Sequence, residues 1–401
     1  MDNRLLSVIA LALLAAACAE GVTDPDGGGD FVAVTSGFSH TCAFDVDGLA
    51  VCWGDDAAYQ LGAGSQQPAC GGFQIPCALE PVAVAGGSAW RSLAAGTTFT
   101  CGVAAGGEAY CWGRDESGQL GVSGPAHVCT IAPYGLRLDC REQPTPIASG
   151  ARFAEIAAGD QHACALTDAG LAWCWGPNDD GRLGTGVVAP RSSPTPVAGD
   201  LSFAALTLGN RHTCALTPAG ELFCWGSNAE GQLGAPAGDA PAPRAVLPEL
   251  RFAEVAAGSR HTCAITLDGA LYCWGSNTAG QIGDGSVGPQ PALPTVVAVE
   301  GTAVGIGVGG EHSCAVTTDG AVWCWGGNAF GQLGDGTATT RPLPVRVQLG
   351  PRAVAVLPGW RHTCAIDRTG GVWCWGINTL GQLARGFISE GETVPGRVGP
   401  S

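Results

Sequence analysis

The stretch that decides the fold is His212-Thr213-Cys214-Ala215-Leu216, followed after a short turn by Leu222-Phe223-Cys224-Trp225-Gly226 and then by Gly231-Gln232-Leu233-Gly234. Two short apolar runs joined by a glycine-bearing turn read as a β-hairpin. Gly220 stands six residues after the first cysteine, where a three-residue hairpin loop needs its left-handed residue. The same phrase in another copy sets the register. With the loop at Asp168-Ala169-Gly170, Thr167 pairs with Leu171, Leu166 with Ala172 and Ala165 with Trp173, so Cys164 falls opposite Cys174. Directly opposed strand residues lie about 4.5–5.5 Å apart at Cα, a span that a disulfide bridges.

The tryptophan of the Cys-Trp-Gly step recurs at Trp53, Trp112, Trp175, Trp225, Trp274, Trp325 and Trp375. The hairpin glycine recurs with it, at Gly48, Gly107, Gly170, Gly220, Gly269, Gly320 and Gly370. Seven copies of a unit of about fifty residues, the first two enlarged, signal a repeat architecture. Each unit holds four short strands, expected in the third copy at 153–157, 162–167, 171–175 and 196–197. The expected fold is all-β: a seven-bladed β-propeller of four-stranded blades with one hairpin disulfide per blade, filling residues 31–400. Radial closure leaves few open sheet edges. Alternation along the strands puts His162, Cys164, Leu166, Ala172 and Cys174 on one face and Trp173 and Trp175 on the other. Each blade therefore offers a cystine face to one neighbour and a tryptophan face to the next.

Composition agrees with many turns and short strands: Gly 64, Pro 26, one Met and 13% charged residues in 401. Nineteen cysteines point to an oxidising compartment. Fourteen follow the hairpin spacing, as Cys42/Cys52, Cys101/Cys111, Cys164/Cys174, Cys214/Cys224, Cys263/Cys273, Cys314/Cys324 and Cys364/Cys374. Cys70/Cys77 and Cys129/Cys140 lie in the two enlarged units, and Cys18 is the odd one. Structural zinc sites favour cysteines two to four residues apart on a knuckle, so no metal is expected. The formal charge is −16 and every basic residue is arginine, which argues against nucleic acid as a partner.

Arg4 precedes an apolar run over residues 5–17, the length of a signal-peptide core and too short to span a bilayer. Leu14-Ala15-Ala16-Ala17-Cys18 resembles the lipobox of bacterial lipoproteins, in which the cysteine is lipidated and becomes the mature N-terminus. The resemblance implies a signal peptide over 1–17 and lipidation at Cys18. Residues 18–30, with Gly27-Gly28-Gly29, then form a flexible acidic tether. The expected location is the bacterial cell envelope, at the outer membrane, with membrane contact through the lipid alone; without lipidation of Cys18 the protein is secreted.

His312-Ser-Cys-Ala-Val, Val322-Trp-Cys-Trp-Gly, Asn328 and Gly331-Gln-Leu-Gly-Asp-Gly resemble the repeat of the regulator of chromosome condensation family, through all seven copies from about residue 31 to 398. The resemblance implies a seven-bladed propeller whose first and last segments share one blade. It does not fix function, because the family includes a nucleotide-exchange factor and bacterial inhibitors of β-lactamase. Copy 1 departs from the phrase with Tyr59 in place of a glycine, and copy 7 with Ala384.

Candidate chemistry is sparse. Six of seven histidines recur two residues before the first hairpin cysteine (His40, His162, His212, His261, His312, His362), with Phe99 in the remaining copy. Because Phe99 fills the same slot, a hydrogen-bonded packing role is expected rather than a metal ring. His127 alone stands outside the pattern, with no legible partner, and Asp284 and Asp335 read as turn formers. No catalytic constellation or cofactor motif is legible, so the chain reads as a monomeric binding module for a protein ligand rather than an enzyme. The other reading is a secreted propeller hydrolase or lyase acting on polysaccharide or peptide. Both enlarged units carry their extra residues after Gln-Leu-Gly, so both insertions should emerge on one rim, each fixed by its own cysteine pair. Phe73, Ile75, Tyr134, Leu136 and Arg137 are the expected ligand contacts in them, unless these residues fold back on the propeller.

Overall fold

The computed structural model describes residues 31–71, 74–124, 127–131, 135–235, 238–288 and 293–399, with the side chains of 131 and 136 left aside. Seven antiparallel sheets stand around one axis. The fourth is typical: Ala205–Leu208 lies innermost, followed outward by His212–Leu216, Leu222–Gly226 and Ala240–Val246. The hairpin register is the one dictated by the loop glycine. Cys164 lies opposite Cys174, Ala165 opposite Trp173 and Leu166 opposite Ala172, while the Thr167 amide donates to the Leu171 carbonyl at 3.0 Å. The seven hairpin glycines have φ between +77° and +92°.

One disulfide staples the hairpin of every blade: Cys42 to Cys52, Cys101 to Cys111, Cys164 to Cys174, Cys214 to Cys224, Cys263 to Cys273, Cys314 to Cys324 and Cys364 to Cys374. Their Cα atoms stand 4.0–4.1 Å apart. That is closer than the span of about 4.5–5.5 Å expected from the register alone. Hydrogen-bonded and non-hydrogen-bonded pairs alternate inward from Thr167 and Leu171, so each cystine takes a non-hydrogen-bonded position, the closer of the two kinds. The covalent bridge draws the pair in further.

Blades stack cystine face to tryptophan face. Cys164, Leu166, Ala172 and Cys174 share a core with Trp225 of the next blade, and Cys364 and Cys374 of the last share one with Trp53 of the first. Cys263 and Cys273 likewise pack with Trp325, and Cys314 and Cys324 with Trp375. All seven of these tryptophans are fully buried. Burying an aromatic of this size stabilises each junction by roughly 1.5–3 kcal/mol.

Three polar links, repeated around the ring, join blade to blade. The His212 Nε2 lies 2.9 Å from Thr262 Oγ1, and that hydroxyl donates to the Gln232 carbonyl at 2.9 Å, which also accepts from Trp274 Nε1 at 2.9 Å. A hydroxyl has one proton to give, so with Thr262 already donating, the histidine must be the Nε2–H tautomer. The unit repeats at His40–Thr100, His261–Ser313 and His312–Thr363. Burial lowers the imidazole pKa values to about 3 for His40, His261 and His312 and about 4 for His212 and His362, so all five stay neutral. The loops themselves meet in a ring of glycines three residues before these histidines. A Cβ on Gly209 would stand 2.3 Å from the Gly258 carbonyl oxygen, and a Cβ on Gly258 2.4 Å from that of Gly309, so only glycine lets the loops close on the axis.

One expectation needs correction. Each blade is built from one contiguous segment, and the last (Ala353–Pro358 to Ser389–Arg397) borrows no strand from the first. The ring closes by contact: His362 Nε2 to Thr41 Oγ1 at 3.0 Å, Trp53 Nε1 to the Gln382 carbonyl at 2.9 Å, and the Trp360 amide to the Gly37 carbonyl at 3.2 Å. The seam therefore reuses the links found at most of the other junctions, and no shared blade is needed. Tyr59 and Ala384 keep the backbone of the glycines they replace, at φ +64° and +49°. Among the described residues no helix is long and apolar enough to cross a membrane.

Candidate binding face

Antiparallel order sends the loops joining strands one to two and three to four of every blade to one face, and the hairpins to the other. The first set of loops converges on the axis. There they enclose a cavity of about 360 Å³ lined by the residue that follows each ring glycine. That position holds a different residue in every blade. It holds aromatic Phe38 and Trp360, polar Thr97, Asp160, Asn210 and Ser259, and Gly310. Phe38 stacks on Trp360 with ring centroids 3.9 Å apart and planes 16° apart. The Arg361 guanidinium lies 3.8 Å from the Trp360 ring centre and 4.9 Å from that of Phe330. Sequence reading missed this set, because nothing in one chain says that consecutive loops meet on an axis.

The two insertions rise from the same face on adjacent blades. In the first, Ala69–Cys70 pairs with the start of Ile75–Ala83, and in the second Val128–Ile131 pairs with the start of Leu136–Pro146. Cys70–Cys77 and Cys129–Cys140 form disulfides with Cα atoms 5.7 and 5.9 Å apart. The Gly64 amide donates to the Glu142 carbonyl at 3.1 Å, a blade-to-blade bond that recurs at Gly186–Pro241, Gly285–Pro342, Gly336–Thr393 and Gly386–Leu79 and so belongs to the ring rather than to the insertions. Of the expected contacts, Ile75 is half-buried and Arg137 exposed; the side chain of Leu136 and all of Phe73 and Tyr134 lie outside the described residues, as does Cys18. Phe387 and Ile388, 47% and 39% exposed, were not anticipated. They belong to the last blade, and Ile388 Cδ1 would lie 2.8 Å from a Cβ on Gly71, beside the first insertion.

The enlarged blades differ at one more place. Blades three to seven carry asparagine (Asn178, Asn228, Asn277, Asn328, Asn378) whose Oδ1 accepts an amide five residues on and whose Nδ2 donates to loop carbonyls, as in Asn178 to Leu183 N at 2.9 Å and to the Val187 carbonyl at 2.7 Å. Blades one and two carry Asp56 and Asp115 instead. A carboxylate cannot donate, and Asp56 Oδ2 accepts the Gln67 amide at 2.9 Å. Burial pushes Asp56 up to about 7 and Asp115 to about 6. This Asn-to-Asp change was legible in the sequence as a departure shared by the two enlarged copies.

His127 Nε2 stands 3.9 Å from Glu142 Oε1, with Cys129 Sγ in the same cluster. The sulfur is committed to Cys140, so the group cannot offer a thiolate while that disulfide is intact.

The fold and this face define a class: a seven-bladed, disulfide-stapled propeller that presents an axial mouth and two pinned hairpins on one surface. The RCC1-like domain model matches residues 139–400, and regulator of chromosome condensation (RCC1) repeat models match 31–60, 90–119 and 106–166. The chain belongs to the RCC1-like domain family. It is 31% identical over 155 residues to the E3 ubiquitin-protein ligase HERC2 of Homo sapiens, covering 39% of this chain and 3% of that protein. It is 30% identical over 160 residues to the ultraviolet-B receptor UVR8 of Arabidopsis thaliana, covering 40% of this chain and 32% of that one. It thus spans a third or less of the length of these relatives. Yeast RCC1 (Prp20), solved bound to Kap60, superposes with a TM-score of 0.75 at 20% identity, over 96% of this chain and 90% of that one, a likeness of fold.

Proposed function

We propose that this protein is a cell-envelope binding module, tethered through a lipid on Cys18, that captures a protein ligand on the face carrying the axial mouth and the two insertions. The observation that carries the reading is the placement of both disulfide-pinned hairpins on adjacent blades of one face. Prior ordering of a loop lowers the entropy it loses on binding. Family members that bind proteins, such as yeast RCC1 with Kap60, are in keeping with it.

The direction of the chain supports the tether. Phe31 begins the innermost strand of the first blade, and that end lies with the hairpins, on the opposite face. A lipid at Cys18 would therefore leave the insertion face turned away from the membrane. If the thirteen residues 18–30 form the tether expected from the sequence, they would give a standoff of about 20 Å.

The test has two parts. Palmitate labelling should depend on Cys18, with Cys18→Ser releasing the protein from membranes; an unlabelled wild type would leave simple secretion. A partner recovered from envelope fractions should bind at least tenfold more weakly to Phe73→Ala/Tyr134→Ala, about 1.4 kcal/mol, at unchanged melting temperature. Full binding by that variant would take the ligand off the insertions.

A further inference from the structure

The axial mouth holds unspent hydrogen-bonding capacity. Thr97 donates its hydroxyl to Asp160 Oδ1, which fixes that carboxylate in the wall. Around the same cavity the Asn210 amide, the Ser259 hydroxyl and the Arg260 guanidinium take no side-chain partner among the described residues. Donors and acceptors from four consecutive blades thus converge on one space, opposite the stacked pair Phe38 and Trp360. The fixed charges balance. Asp160 and Glu311 oppose Arg260 in the wall and Arg361 over the Trp360 ring. An anion or a cation would meet a like charge as readily as an opposite one.

We propose that this mouth is a binding site for a neutral polyhydroxylated ligand, the ring of a sugar. A pyranose displays hydroxyls around its rim, each needing both a donor and an acceptor, and the arc Asp160–Asn210–Ser259–Arg260 supplies both kinds. The axial C–H groups of such a ring are apolar and stack on an aromatic face, the role open to Phe38, which Trp360 holds in place by stacking on it. Trp360 packs directly on Gly310, where an added Cβ would stand 2.5 Å from Trp360 Cδ1, so the glycine lets this aromatic side chain take its place in the wall. The site is separate from the insertions and does not depend on the protein ligand proposed above.

The experiment is titration calorimetry with saturation-transfer NMR on the full-length protein. The probes are glucose, galactose, mannose and N-acetylglucosamine, with acetate and methylamine as charged controls, each to about 10 mM, a range that reaches dissociation constants of about 1 mM. Saturable binding of at least one sugar is expected, weakened tenfold or more by Asn210→Ala and by Asp160→Asn at unchanged melting temperature. Phe73→Ala/Tyr134→Ala should bind the sugar as the wild type does, which separates this site from the protein-binding reading. Absence of sugar binding, binding that survives both axial substitutions, or a preference for either charged control would overturn the proposal. Trp360→Ala is the second variant should either polar change lower the melting temperature, and its sugar affinity must then fall for the proposal to stand.

Discussion

Phe99 of the second blade packs in the same buried cluster as Ala163 of the third, at the junction where the other blades set a histidine against a threonine or serine hydroxyl. Both members of the pair have changed together: the blade that lacks the imidazole faces the blade that lacks the hydroxyl. The exception thereby explains the rule, since a buried Nε2–H without an acceptor costs about 1–3 kcal/mol. Phe99→His alone should destabilise the protein by that amount in urea unfolding. Adding Ala163→Thr should recover most of it, giving a coupling energy of about 1 kcal/mol or more in the double-mutant cycle. Additive losses would show that the pairing is incidental.

The glycine ring makes a second, steeper prediction. Gly209→Ala would drive a methyl to 2.3 Å from both the Gly258 carbonyl oxygen and His212 Cε1, atoms that cannot rotate away. A loss of about 3 kcal/mol or more is expected. Gly150→Ala is the control, since nothing lies within 4 Å of its added Cβ. That change should move stability by no more than about 0.5 kcal/mol.

Ala384 is fully buried with φ +49° at a position held by glycine in the other copies. A left-handed alanine carries about 1–2 kcal/mol of strain, against which a glycine loses backbone entropy when it folds. Ala384→Gly should therefore raise the melting temperature modestly, by the equivalent of about 0.5–1 kcal/mol. A lower melting temperature would mean that the methyl packing beside Trp53 outweighs the strain.

Acid should test a balance between two buried sets. Burial lowers six imidazoles, to about 3 or 4 for five of them and well below the usual value for His162. Unfolded imidazoles titrate near 6.5, so the stability these groups contribute is full above about pH 6.5 and lost as pH falls towards 4. Five carboxyls run the other way, because burial raises Asp55 and Asp115 to about 6 and Asp56, Glu155 and Glu254 to about 7. Their contribution is full below the unfolded value near 4 and is lost as pH rises through 6 to 7. Between roughly pH 6 and 4.5 unfolding then takes up about one proton net, a slope of about 1.4 kcal/mol per pH unit. Glu155→Gln with Glu254→Gln removes two opposing groups and should steepen the slope to about 4 kcal/mol per unit. Urea unfolding at pH 5 and 6 measures both; equal slopes would refute the balance.

Much of the architecture was legible because the repeat is written in local chemistry. A glycine six residues after each first hairpin cysteine fixes the hairpin, the hairpin fixes which cysteines meet, and alternation fixes the face that each tryptophan takes. The insertions and their common rim followed from counting residues. The partner of each histidine did not. His162 meets Thr213, fifty-one residues away, only because blades stack in chain order, and no local rule links those two positions.

What the sequence determined alone is what a single unit settles within itself: strand, turn, disulfide register and the two faces of a blade. These depend on contacts between residues about ten apart, such as Cys214 and Cys224, so the pattern carries them. The tertiary structure decided what arises only when seven units meet. It closed the ring by contact between Thr41 and His362 rather than by a shared blade. It turned the glycines before the histidines into a tight axial ring, and it brought Phe38, Asp160, Asn210 and Trp360 around one cavity. The physical reason is that these contacts join residues from about fifty to more than three hundred positions apart, and their geometry is set by the number of blades that fit around an axis, a property of packing that no single repeat contains.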